Sequence, residues 1–239
     1  MNYLSFLLFL FLFLTETQKI SSIYFKGDAW EDYDMYVLAV QWGSTLCLTK
    51  GETCLEKFQQ IPRHSMSLHG LWPSLSTGTT LPDCNSGDQI DIIDNGSETF
   101  LNMRKYWPSL TGTNKEFWDH EYNKHGFCYN LRNEKDGENY EYYFQKVLDV
   151  FLGNKIDTLI IDICSDADDG EYVLPDEFRE KMNEKFGENT YSLRCTKIGG
   201  KYYLEEIRFK LDLDFNFTNK GNSQNSCPTN QYINVIYDS

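Results

Sequence analysis

FWDHEYNKHGFC, Phe117 to Cys128, gathers two of the chain's four histidines, a glutamate, a lysine and a cysteine into one short stretch. It nearly spells the zinc motif H-E-x-x-H, but the spacing is H-E-x-x-x-H. On a helix, residues five apart such as His120 and His125 point about 140° from one another and cannot readily share an ion, so no metal is expected. With the whole stretch on a helix, Phe117, His120, Glu121, Lys124, His125 and Cys128 fall on one face spanning about 140°. Asp119, Asn123 and Gly126 fall on the opposite side, where solvent is expected. Two imidazoles, a carboxylate and an ammonium are expensive to turn inward without a chemical use.

Phosphodiester transfer uses such a set. One imidazole takes a proton from a nucleophilic hydroxyl, another protonates the leaving oxygen, and cations stabilise the charge on phosphorus. RNA supplies its own nucleophile, the 2′-hydroxyl, so neither a metal nor a covalent enzyme group is required, and DNA is excluded. A Cys–His hydrolase is disfavoured, because a cysteine in a secreted, cysteine-rich chain is better used as a staple.

On either side of this stretch the pattern predicts an α+β domain. MYVLAVQW, Met35 to Trp42, reads as a buried strand, and SMSLHGLW, Ser65 to Trp72, as a second that stops at Pro73. A turn-rich segment runs to Asp88. Helical patterns cover 98–107, 114–131, 139–152 and 175–186, the last with a Pro in its first turn. KYYLEEIRFKLDLDF, Lys201 to Phe215, alternates apolar and charged residues from Leu204 onward, as a half-exposed strand does. DADDGE, Asp166 to Glu171, fails the EF-hand pattern, since its sixth position is a glutamate, and reads as a solvated acidic loop.

The 239 residues suit one well-buried domain. The apolar run Leu4 to Leu14 is too short to span a bilayer and is followed by polar TETQKISS, as in a secretory leader. Residues 1–22 are therefore expected to be a signal peptide, cleaved somewhere from Thr15 to Ser22, with one domain over 23–239 and no membrane segment in the mature form. Seven cysteines without a CxxC pair point to a disulfide framework in an oxidising compartment, with one thiol left over. Asn95-Gly96-Ser97 and Asn216-Phe217-Thr218 are glycosylation sequons in keeping with secretion.

The formal net charge of −14 argues against a protein that coats a polyanion. Its distribution is uneven: residues 133–190 hold sixteen acids against six bases. Arg104, Lys105, Lys115, Lys124 and Arg132 lie around the opening stretch, so a locally basic cleft on an acidic body fits a transient nucleic-acid substrate.

The second chemical segment is SLHGLWPS, with His69, a glycine that permits close approach, and Trp72 as a stacking surface for a base. Together, His69-Gly70-Leu71-Trp72-Pro73 and His120-Glu121-Tyr122-Asn123-Lys124-His125-Gly126-Phe127-Cys128 resemble the two active-site motifs of the ribonuclease T2 family, H-G-L-W-P and H-E-W-x-K-H-G-x-C. VQWGSTLC, Val40 to Cys47, and the segment from Cys195 to Ile207 extend the resemblance over roughly Tyr36 to Cys227.

The resemblance implies an antiparallel sheet with several helices packed on it, stapled by disulfides. It implies a secreted or lysosomal/vacuolar endoribonuclease, monomeric and without a cofactor, that cleaves single-stranded RNA through a 2′,3′-cyclic phosphate. His125 is expected as general base and His69 as general acid, His120 as a phosphate ligand, and Glu121 and Lys124 as transition-state partners. Trp72 is expected to stack on a base, and Gln41, Trp107 and Phe117 to line a second base site. Cys47–Cys54, Cys84–Cys128 and Cys195–Cys227 are the implied disulfides, with Cys164 unpaired.

The chain departs from the family pattern at three positions. Tyr122 replaces a Trp, which implies a packing change. Lys210 stands where many plant relatives carry a cysteine, and Ser74 stands where some carry an acidic base-binding residue. His64 reads as a loop residue outside the mechanism. The rival reading is a catalytically silent member of the same fold that serves in binding, storage or signalling. The joint presence of His69, Glu121, Lys124 and His125 argues against it.

Overall fold

The computed structural model describes residues 33–50, 54, 65–78, 81, 87, 89–163, 170–174 and 177–237. The expected leader, His64, Cys84 and Cys164 lie outside them. Strand β1 (Met35–Gln41) leads into helix α1 (Gly43–Lys50), and β2 (Ser67–Ser74) follows. Helices α2 (Glu98–Tyr106) and α3 (Asn114–Glu121), a π-helical turn (Tyr122–Gly126), α4 (Phe127–Arg132), α5 (Tyr140–Gly153) and α6 (Leu159–Ile163) form the middle of the chain. Strand β3 (Gly170–Val173), helix α7 (Phe178–Phe186), and strands β4 (Tyr191–Ile198), β5 (Lys201–Leu211) and β6 (Ile233–Tyr237) complete it.

The strands form one six-stranded sheet in the order β2-β1-β5-β6-β3, with β4 also paired to β5. Neighbours run antiparallel except β5 and β6, which pair in parallel at Tyr202↔Ile233 and Tyr203↔Asn234. Strand β2 does not stop at Pro73: Pro73 and Ser74 still pair with Tyr36 and Met35. Proline is tolerated because β2 is an edge strand, where a missing N–H costs no ladder bond. Gly170 and Glu171, expected in an acidic loop, begin β3.

Alternation along the strands divides the sheet into two faces. Leu38, Val40, Leu71, Ile207, Phe209 and Leu211 belong to the main core, together with Phe100 and Met103 of α2 and Tyr143, Phe144, Val147 and Phe151 of α5. The i, i+1, i+4, i+8 spacing of these α5 residues makes one apolar stripe against the sheet. Val37, Ala39, Lys210 and Arg208 occupy the other face, which carries the site.

Two disulfides close local loops, Cys47–Cys54 and Cys195–Cys227. Cys128 is also disulfide-bonded. Asn95 and Asn216, the sequon asparagines, are exposed.

Candidate active site

Helix α3 starts where the sequence says it should: Thr113 and Glu116 form a reciprocal capping box. It ends in a π-helical turn, with the Phe127 N–H bonded to the Tyr122 carbonyl five residues back. The extra residue in that turn corrects the simple helical reading. Asn123 is not in solvent but only 6 % exposed. Its side chain accepts from the Ile90 N–H and donates to the Ile90 and Asp119 carbonyls. Gly126 is buried too, and a β-carbon there would stand 2.5 Å from Tyr122 and 2.7 Å from Tyr143. Tyr122 is fully buried, donating its hydroxyl to the Gly137 carbonyl and accepting from Asn130.

The two chemical segments meet on the polar face of the sheet. Between Ala39 and Val40 the β1 register jumps from Gly70 to Leu68, so His69 is the extra residue of a β-bulge. In a regular strand, His69 and Trp72, three apart, would point to opposite faces. The bulge puts them together, with ring centroids 5.1 Å apart and planes at 85°. Trp72 also lies 5.5 Å from the ring of His125, and Phe117 lies 5.9 Å from His69. The Trp72 indole N–H donates to Glu121 Oε2 over 3.0 Å. Glu121 Oε1 stands 3.8 Å from His69 Nε2.

Electrostatics separate the two imidazoles. Burial alone would lower the pKa of His69, but its hydrogen bond to Glu206 and the charges of Glu121 and Glu206 outweigh this and raise it. Among the described residues no carboxylate offsets this for His125: burial and the positive neighbours Lys124, His120 and His69 push it down to about 3. Burial lifts Glu121 to about 7, against the pull of His69, Trp72 and Lys124. His120 and Lys124 project from the exposed side of the same segment. A cavity of about 500 Å³ opens beside these groups, bordered by Trp72, Lys124, His125, Ser192, Arg208 and Lys210.

The family model described as "Ribonuclease T2 family" matches residues 33–227. The chain belongs to the ribonuclease T2 family. This makes it an endoribonuclease of the T2 type.

Ribonuclease 1 of Arabidopsis thaliana is 26 % identical over 197 residues, 81 % of this chain and 82 % of that protein. Extracellular ribonuclease LE of Solanum lycopersicum is 34 % identical over 160 residues, 66 % of this chain and 64 % of that protein. Among solved structures, the Japanese pear S3-RNase superposes with a TM-score of 0.63 at 24 % identity, covering 84 % of this chain and 100 % of that one. At this identity the likeness speaks for the T2 fold.

Trp107 and the charged side of β5 are also placed differently from the reading of the sequence. Trp107 has no face open to a base: it is 0 % exposed and donates its indole N–H to the His69 carbonyl over 2.8 Å. It props the His69 segment from behind. The charged side of β5 is not a solvent face either. Glu206 is 6 % and Lys210 5 % exposed, because Trp72, His69 and the segment around Gly221 cover that side; the Lys210 ammonium donates to the Gly221 carbonyl over 2.9 Å. Gln41, at the end of β1 opposite Glu206, is half-buried.

Sequence reading missed Glu206 and Arg208. Glu206 Oε2 lies 2.6 Å from His69 Nδ1. Arg208 donates its Nε–H to Glu206 Oε1 and rests its guanidinium 5.0 Å from the Trp72 ring. The alternation E-I-R-F-K was visible in the sequence, but which partner lay across that face was not. Among the described residues, no group of three or more His, Cys, Asp or Glu side chains is gathered to hold a metal ion.

Proposed function

We propose that the protein cleaves single-stranded RNA by attack of a 2′-hydroxyl on the adjacent phosphorus. His125, neutral over most of the pH range, takes the hydroxyl proton as the O2′–P bond forms. His69 gives its Nε2 proton to the 5′-oxygen as the P–O5′ bond breaks, leaving a 2′,3′-cyclic phosphate. The imidazoles exchange roles when water opens the cycle. Lys124 and His120 face the cleft as cationic partners for the phosphate. Glu121, protonated below about pH 7, offers a hydrogen bond to a phosphoryl oxygen that gains charge.

One observation carries this reading: two imidazoles flank one indole ring in opposite electrostatic surroundings, His69 between carboxylates and His125 among cations. Acid and base are thereby told apart before substrate arrives. The same asymmetry favours an acidic working pH, with His69 and Glu121 protonated and His125 neutral.

The reaction needs no metal, because RNA brings the nucleophile and imidazoles move both protons. Trp72, beside the cavity, stacks on a base, with Phe117 and Gln41 toward a second. The protein acts as a monomer in a secreted or lysosomal/vacuolar compartment. The Cys47–Cys54 and Cys195–Cys227 bonds suit such an oxidising setting. Its relatives include both an extracellular and an intracellular tomato ribonuclease by name.

The test is to incubate purified protein with single-stranded RNA in EDTA and look for cyclic-phosphate ends. The all-deoxy strand should remain intact. No cleavage anywhere from pH 4 to 8, around the ordinary imidazole pKa of about 6.5, would overturn the proposal.

A further inference from the structure

Glu206 is a buried carboxylate, absent from both motif segments and held against a reactive ring. We infer that Glu206 is the positioning residue of the acid step: its carboxylate holds His69 so that Nε2–H faces the departing 5′-oxygen, and Arg208 holds the carboxylate. The inference rests on the reaction proposed above.

The geometry assigns the two ring nitrogens different tasks. Nδ1 is committed to Glu206 Oε2 at 2.6 Å, a charge-assisted hydrogen-bond distance. Nε2 faces Glu121 Oε1 at 3.8 Å, beyond hydrogen-bond reach, and keeps its proton available. When the P–O5′ bond breaks, that proton passes to the oxygen. His69 is then neutral with its Nδ1–H still donated to Glu206, so no proton need reach the carboxylate.

A bulge residue needs such a grip, since the ladder does not hold it as it holds its neighbours. The backbone carbonyl of His69 is fixed by Trp107, and the ring edge by Trp72. Rotation about the remaining torsions is restrained by Glu206. The carboxylate is itself compensated, because a buried charge without a partner is costly. Arg208 neutralises Oε1 and, over the Trp72 ring, ties the carboxylate to the wall of the cleft.

The charged and titratable groups acting on His69 are Glu206 and Arg208 from β5 and Glu121 from α3, with His125 of the π turn across Trp72; Lys124 and His120 act on His125. A merely structural Glu206–Arg208 ion pair would leave the protonation of His69 unchanged. The proposed role would not.

The experiment is histidine-selective ¹⁵N NMR on the whole protein, alongside the pH dependence of kcat/KM on a short single-stranded RNA. In the wild type, neutral His69 should carry its proton on Nδ1, and the ring should titrate above the ordinary 6.5. Glu206→Gln should lower that midpoint and the alkaline limb of kcat/KM by about one pH unit. It should also cut kcat roughly 10- to 100-fold with little change in KM. Glu206→Asp should recover part of both.

A neutral His69 protonated on Nε2, or a folded Glu206→Gln protein whose titration and alkaline limb stay at wild-type values, would overturn the inference. Should Glu206→Gln fail to fold, the wild-type tautomer and midpoint decide alone. These need no turnover, so their failure is distinct from an absence of RNA cleavage.

Discussion

Gly70 lies so close under Glu121 that a β-carbon on it would stand 2.1 Å from the carboxylate Oε2 and 2.5 Å from the Trp72 indole nitrogen. Only a residue without a side chain lets the edge strand and the helix press two functional groups together at that point. Gly70→Ala must push Glu121 or Trp72 aside. The expected result is a loss of kcat of about 100-fold, since misplacement by an ångström is that costly, with a stability loss of about 1–3 kcal/mol. Kinetics and thermal melting on the same preparation measure both.

The pH profile follows from the two imidazoles. In the proposed mechanism the first step needs His125 neutral and His69 protonated. Activity therefore falls as pH drops through about 3, where His125 charges, and falls again as pH rises through the raised pKa of His69. Initial rates on RNA from pH 3 to 9 should give a bell with its alkaline limb above 6.5. His125→Ala and His69→Ala should each lose at least about 100-fold in cyclisation. Near-wild-type activity in either variant would refute the assigned roles.

Glu121 links the site to stability. Its folded pKa of about 7 lies above the ordinary carboxylate value, so the folded state prefers the protonated form. That contribution is fully present below the unfolded pKa, near 4.5, and is lost as pH rises through 7. Glu121→Gln should therefore melt on the order of a few degrees higher at pH 8 and near wild type at pH 4, while losing activity. Equal shifts at the two pH values would contradict the burial argument.

Asn123 ties the π turn to the segment at Ile90. Replacing it with Ala strips hydrogen bonds from the half-buried Ile90 N–H and carbonyl, at a total cost of about 1–3 kcal/mol. The Asn123→Ala protein should unfold at lower denaturant and lose kcat through displaced His125 and Lys124. Unchanged stability would mean that the turn is held elsewhere.

Much of this was legible along the chain. Helix α3 starts where the pattern set it, the strand around Met35 follows from its run of apolar and β-branched residues, and the helix around Phe144 follows from period 3.6. His69, His120, Glu121, Lys124 and His125 stood out because spacing and residue type already imply a chemistry. Trp107 and Asn123 were misread for one reason. An aromatic ring reads alike as core or as base platform, and an Asn on a helix reads as solvated until a backbone segment is found packed over it.

The sequence by itself singled out the candidate groups and most of the elements that carry them, because those depend on side-chain chemistry and local periodicity. Only the tertiary structure decided which way they face. A one-residue bulge turned His69 onto the face of Trp72, a π turn buried Asn123, and the pairing of β1 with β5 brought Glu206 to Nδ1 of His69. Each is a matter of strand register and helical phase, where a single inserted residue reverses a side chain's direction, and register is set by packing across the sheet.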